Sequence, residues 1–159
     1  MKKNPRTVSS RRPASSTLRR LAWFRYRLRR FLRFSERATR TQGLTPQQYV
    51  LLLGIAGFTG RGWATISELA EFLQQRHNAV VGLAQRAERR GLIHKNQASG
   101  DRRFVRVQLT RRGTATLQKL ARLHFRELSR IQLQLGPLLQ APPDPAFPSP
   151  RASAKEERR

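Results

Sequence analysis

The chain has 159 residues, 33 of them Lys or Arg against 9 Asp or Glu, for a formal net charge of +24. With 38% hydrophobic residues it can build one core, but cationic self-repulsion opposes compaction unless a polyanion supplies counter-charge. It has no cysteine, which excludes disulfides and thiolate metal sites, and no run approaches the ~18 apolar residues of a bilayer span.

Residues 1–16 (MKKNPRTVSSRRPASS) are basic, nearly devoid of apolar side chains and interrupted by two prolines. They are predicted to form a disordered arm. The Arg- and Ser-rich, acid-poor start also matches a mitochondrial presequence in composition, and lacks the apolar stretch of a secretory signal. From Leu18 onward, however, the pattern is one that packs. Leu18, Leu21, Phe24, Leu28, Phe31 and Leu32 recur at helical steps, with arginines largely opposite, and predict a helix over about 17–40. Residues 1–40 hold 14 basic residues and 1 acidic, a net +13.

After Gly43, Thr45 is a good N-cap and Pro46 suits the first helical position. The apolar run Tyr49–Ala56 predicts a buried helix of about three turns. Gly54, Gly57, Gly60 and Gly62 match neither a Walker loop nor a dinucleotide fingerprint, and read as a helix-ending loop. Thr65 and Glu68 make a capping box for a third helix carrying Ile66, Leu69, Ala70 and Leu73. A fourth helix follows Gln74-Gln75 and runs to Arg90, with Val80, Leu83, Ala84 and Ala87 inward and Gly91 as terminator. Two short amphipathic helices across a tight turn are a helix-turn-helix candidate.

Leu92–Asn96 and Phe104–Leu109 read as strands, the second placing Val105, Val107 and Leu109 on one side and Arg106 and Gln108 on the other. Gln97–Arg103 joins them as a hairpin loop. A hairpin following a helix-turn-helix is a wing. Thr110 caps a last long helix, roughly 111–135, with Leu117, Leu120, Ala121, His124 or Phe125, Leu128 and Ile131 on its stripe. Residues 141–159 hold five of the nine prolines and are predicted to be disordered. The fold class is therefore mainly α with a small β-hairpin wing.

In element order and in residues, the stretch from about 17 to 135 resembles the MarR family of bacterial winged-helix transcription factors. The carriers are LTPQQYVLLLGI (44–55), TISELAEFL (65–73), ERRGLI (88–93) and DRRFVRVQLTRRG (101–113). The resemblance implies a winged helix-turn-helix lobe, about 62–110, and a homodimer held by helices of about 17–40 and 111–135. It also implies a palindromic operator in double-stranded DNA. The chain departs from the family pattern at Gln75, usually apolar, and Arg76, usually a Ser or Thr N-cap. Ala87 replaces a larger core residue, and Gly82 costs its helix about 1 kcal/mol relative to Ala. The fourth helix is thus expected to be weakly self-stabilised and to firm up on DNA. Gly136-Pro137 is expected to interrupt the last helix and Pro142 to end it, leaving a short C-terminal contribution to the dimer.

Arg76, His77, Asn78, Val81, Gln85 and Arg86 lie away from the core face of the fourth helix, where a winged helix meets the major groove. Arginine suits guanine edges, asparagine an adenine, and Val81 a thymine methyl. For Gln85 and Arg86 a merely solvated face is an equal reading. Arg102 and Arg103 sit at the wing, where a guanidinium is attracted into a narrow minor groove. By resemblance Arg103 inserts and Asp101 braces it; the plain alternative is an exposed ion pair. The family also implies a small-molecule effector pocket, for which Trp23, Tyr26 and Trp63 are candidates, with ordinary packing as the simpler role.

His77, His94 and His124 are too scattered to hold a metal, no cofactor motif occurs, and no nucleophile-base pair stands out. The sequence reads as a cytoplasmic, nucleoid-associated regulator of transcription, most simply a repressor, and not an enzyme. An RNA- or ribosome-associated basic protein is the alternative. Membrane-surface binding through the Arg- and aromatic-rich first helix is a weaker one, and no stable membrane association is expected.

Overall fold

A computed structural model describes residues 15–58, 60–98 and 101–140. The elements in order are α1 (Ser15–Thr41), α2 (Pro46–Gly57), β1 (Trp63–Thr65), α3 (Ile66–Leu73), α4 (His77–Arg89), β2 (Ile93–Ala98), β3 (Asp101–Leu109) and α5 (Arg111–Gln140). The chain divides into two units, residues 1–30 with 130–159, and residues 31–129. The arm expected over 1–16 lies outside the described residues except for Ser15 and Ser16, which are already helical. The proline-rich tail lies outside them altogether.

The helix starts obey local chemistry. Thr45 accepts from the Gln48 amide at 3.2 Å while the Gln48 side chain accepts from the Thr45 amide at 3.1 Å, closing a capping box ahead of Pro46. Thr65 and Glu68 repeat the device for α3. Each box satisfies two amides that a helix start otherwise leaves bare.

The core of the second unit gathers Leu51, Leu52 and Ile55 from α2, Leu69 from α3, and Val80, Leu83, Ala84 and Ala87 from α4. Ile93 and Val107 of the sheet and Leu117 and Leu120 of α5 complete it. His124, not Phe125, is the inward residue of α5: Phe125 is 71% exposed and His124 only 5%. The imidazole stacks on Tyr49 at 4.5 Å, meets Phe31 and Phe34 edge-on, and bonds the Leu120 carbonyl and Ser35 Oγ. Burial here pushes the Tyr49 phenol above its ordinary value.

Two expectations need correction and one is extended. The expected hairpin wing is present as β2 with β3, and β1 adds a third strand to give an antiparallel sheet of order β1-β3-β2. β1 is only three residues long, and β3 supplies its pairing from over forty residues away, so no local periodicity announces it. The glycine series is also not one loop, since Gly54 and Gly57 are within α2. A Cβ at Gly54 would stand 2.8 Å from the Phe72 ring, so α3 packs close there, while Gly60 and Gly62 take the positive φ values that turn the chain. Finally, α5 runs unbroken through Gly136-Pro137 to Gln140. Proline so near a helix end removes one ladder hydrogen bond from the last turn and leaves the preceding ladder intact.

The junction after α4 explains the Leu-Thr-x-x-Gly run. Gly91 ends the helical segment at φ 66°. Thr110 donates its hydroxyl to the Gly91 carbonyl at 2.7 Å and accepts from the Gly113 amide at 3.0 Å. The Thr110 amide bonds the Leu92 carbonyl at 3.1 Å. A Cβ on Gly113 would sit 1.9 Å from that same carbonyl oxygen. Only glycine allows the first turn of α5 to pass so close to the start of the wing.

Candidate nucleic-acid interface

The face of α4 opposite the core is polar and open. Val80, Leu83, Ala84 and Ala87 are buried; Arg76, His77, Asn78, Gln85 and Arg86 are exposed and Val81 is half-buried. Asn78, Val81 and Gln85 fall on one line at steps of three and four, and Asn78, Gly82 and Arg86 on another at steps of four. Gly82 lacks a side chain on this line, and Arg86 folds back over it. A Cβ at Gly82 would come within 3.4 Å of the Arg86 Nη1. The glycine that weakens the helix therefore gives Arg86 room along its surface.

The start of α4 is electrostatically plain. Arg76 occupies the N-cap in extended conformation but its side chain makes no capping bond, and no acid lies in the first turn. The bare amides, the helix dipole and the Arg76 guanidinium thus add with one sign, favouring an anion. At the other end Arg86 and Arg89 complement the negative end of the dipole.

Without a cap, α4 is held from outside by two consecutive residues of α2. Gln75, just ahead of α4, donates to Gln47 Oε1 at 2.9 Å. Arg90, just after it, donates to Gln48 Oε1 at 3.0 Å. Gln48 is buried, and Arg90 also lies against Gly43 in the α1–α2 turn. The turn between the helices is closed by Gln74, whose left-handed conformation (φ 52°, ψ 44°) lets its amide bond back to α3. Gln75 read as a departure from an apolar position; its partner Gln47 carried no local signal.

Asp101, Arg102 and Arg103 open β3, with Ala98 opposite Asp101 in register. Their side chains fall outside the described residues. Of the aromatic residues considered for an effector pocket, Trp23 and Tyr26 stack on α1 with centroids 5.2 Å apart, and the Arg27 guanidinium lies over Trp23. Trp63 is on β1 in the other unit, where the guanidiniums of Arg61 and Arg106 lie 4.4 and 4.5 Å from its ring centre.

Glu68 ties Arg61 to the α3 cap. Its carboxylate pairs with Arg61 at 2.5 Å and accepts from the Thr65 amide and hydroxyl. The Thr65 amide first, then Arg61, hold this carboxyl below its ordinary value of 4.5. Among the described residues no group of three His, Asp or Glu could hold a metal, and no helix is long and apolar enough to cross a membrane.

An exposed polar helix behind a tight turn, followed by a sheet whose hairpin projects from it, matches known proteins in both sequence and shape. A family model described as MarR family matches residues 42–103. These residues are similar to a MarR-family module. The transcriptional repressor MdtR of Bacillus subtilis is 32% identical over 79 residues, which is 50% of this chain and 49% of MdtR. The chain thus spans about half the length of that curated relative.

The MarR fold extends further than the sequence match. AbsC, a MarR family transcriptional regulator from Streptomyces coelicolor, superposes with a TM-score of 0.66 at 19% identity, covering 94% of this chain and 92% of AbsC. A point mutant of Staphylococcus aureus MepR, solved bound to an oligodeoxyribonucleotide, gives 0.59 at 18% identity over 86% of this chain and 89% of MepR. A MarR family protein from Bacillus stearothermophilus gives 0.64 at 20% identity over 92% of each chain. The mainly helical fold with a small wing sheet, expected from the sequence, is the MarR fold.

Proposed function

We propose that this chain is a homodimeric transcriptional regulator, a repressor by analogy with MdtR, that occupies an inverted-repeat operator in the cytoplasm. The carrying observation is the outward face of α4. It carries Arg76, His77, Asn78, Val81, Gln85 and Arg86 along a helix whose first turn holds no acid, over a core face that fixes their orientation. In this reading α4 enters the major groove, and Arg102 and Arg103 carry the wing into the minor groove with Asp101 bracing.

Dimerisation is supported by apolar side chains the chain leaves exposed: Leu18, Leu21, Phe24, Leu28 and Leu32 on α1, and Leu123, Phe125 and Leu128 on α5. A monomer rarely leaves apolar stripes of this length uncovered. Trp23, Tyr26 and Trp63 are the aromatic candidates for contact with a small-molecule effector, although Trp23 is itself buried, between Tyr26 and the Arg27 guanidinium. The basic arm ahead of α1 adds affinity without sequence preference.

A gel-shift salt titration tests the reading. A dimer that neutralises about eight phosphates gives a log K against log[salt] slope near −7. A slope shallower than about −2 contradicts it. Selection from random duplexes is expected to return an inverted repeat, and structured RNA is expected to compete poorly.

A further inference from the structure

The side of the wing sheet turned away from the core is a second polar surface, distinct from α4. Across the three strands Trp63 stands opposite Gln108, and Gln108 opposite His94; the next row is Thr65, Arg106 and Asn96. Ala64 and Val107, between these rows, are buried on the other side. Gln108 Oε1 accepts from His94 Nε2 at 2.9 Å and from Asn96 Nδ2 at 3.1 Å, which leaves its amide nitrogen as a further donor. None of these row positions is acidic.

Arg106 is the charged centre of this face. It is exposed, and among the described residues no carboxylate pairs with it; its guanidinium lies over Trp63, a diagonal neighbour across the β1–β3 pair. Stacking on an indole fixes the plane of a guanidinium but uses none of its N–H edges. The group is therefore held in place with its donors unspent, the state that suits an oxyanion. Arg61 shares the ring but is committed to Glu68.

We infer that Arg106, positioned by Trp63, is a phosphate contact for the DNA backbone beside the wing. This rests on the operator reading above. A strand rises about 3.4 Å per residue, so position 106 lies about 10 Å along β3 from position 103. The minor groove is about 7.5 Å deep. A wing seated by residue 103 thus carries position 106 outside the groove, where the bordering phosphates are within reach and base edges are not. The contact is blind to sequence and lengthens the footprint.

Salt titrations of full-length Arg106→Gln, Arg106→Lys and Trp63→Leu on operator and on unrelated duplex test the inference. Arg106→Gln is expected to weaken both complexes equally, about tenfold, and to make the dimer's slope shallower by about 2, for one phosphate per protomer. Arg106→Lys should keep the slope and lose part of the affinity, and Trp63→Leu should do likewise. An unchanged slope for Arg106→Gln overturns the contact, and wild-type affinity for Trp63→Leu overturns the positioning role. A loss confined to operator DNA means base reading and overturns it too, as does a loss seen with structured RNA only. Wild-type protein that binds no duplex DNA refutes the operator reading itself, a result distinct from any of these.

Discussion

Gln48 accepts a hydrogen bond from Arg90 at 3.0 Å, although 42 residues separate them. The bond joins the first turn of α2 to the residue that ends α4, and the same glutamine oxygen also accepts from the Thr45 amide. A hydrogen bond from a charged donor contributes about 1.5–3 kcal/mol. A double-mutant cycle of Gln48→Leu and Arg90→Leu is therefore expected to give a coupling of about 1–2 kcal/mol in urea unfolding. A coupling near zero would mean that this bond does not help to hold α4.

The close approach at Gly113 makes a sharper forecast. A methyl group there meets backbone, the Leu92 carbonyl at 1.9 Å, so no side chain can swing aside. Gly113→Ala is expected to cost about 3 kcal/mol or more, the upper range of overpacking penalties. Gly57→Ala is the natural comparison, because a Cβ there meets nothing within 4 Å. Calorimetry should find the first variant melting far below wild type and the second close to it.

Arg76 sits where a cap belongs and does not cap. Arg76→Ser supplies the missing acceptor and should stabilise the folded protein by about 1 kcal/mol. It also removes a cation from the face proposed to meet DNA. Thermal stability and operator affinity should then move in opposite directions. If both rise, Arg76 does not contact DNA.

Much of the fold could be read from sequence wherever the determinants were local. Both capping boxes lie within four residues, and the inward positions of α4 follow from apolar spacing alone. The rest depended on distant partners. β1 exists because β3 pairs with it, Gln75 is satisfied by Gln47, and Trp63 acquires its guanidiniums from a preceding loop and a neighbouring strand. His124 and Phe125 are adjacent and both suited to an apolar stripe; only the ring of Tyr49 and the hydroxyl of Ser35 select the histidine.

Acid should act on the Glu68 cap in a definite direction. Because the folded carboxyl lies below 4.5, its contribution to stability is present above that ordinary value and is lost as pH falls through the lower folded one. Glu68→Gln lacks this titration. The melting temperature of wild type relative to Glu68→Gln should be highest near neutrality and fall on acidification below about pH 4.5. The carboxylate is well hydrated, so the difference should be small. A gap that widens in acid would contradict the assignment.

The knot of Gly91, Thr110 and Gly113 also decides what kind of object the wing is. The chain enters the hairpin after Gly91 and leaves it at Thr110 through one hydrogen-bonded neck, where Thr110 spans the end of α4 and the start of α5. With Ile93 and Val107 in the core and β3 paired to β1, only the part beyond these contacts is a blade, on a fixed handle. Residues added in pairs between Ala98 and Asp101 would lengthen the blade while preserving strand alternation and leaving the handle untouched. A single residue added at Thr110 would dislodge α5 itself. Variation in the length of the wing can therefore accumulate at its tip, while the neck admits almost none.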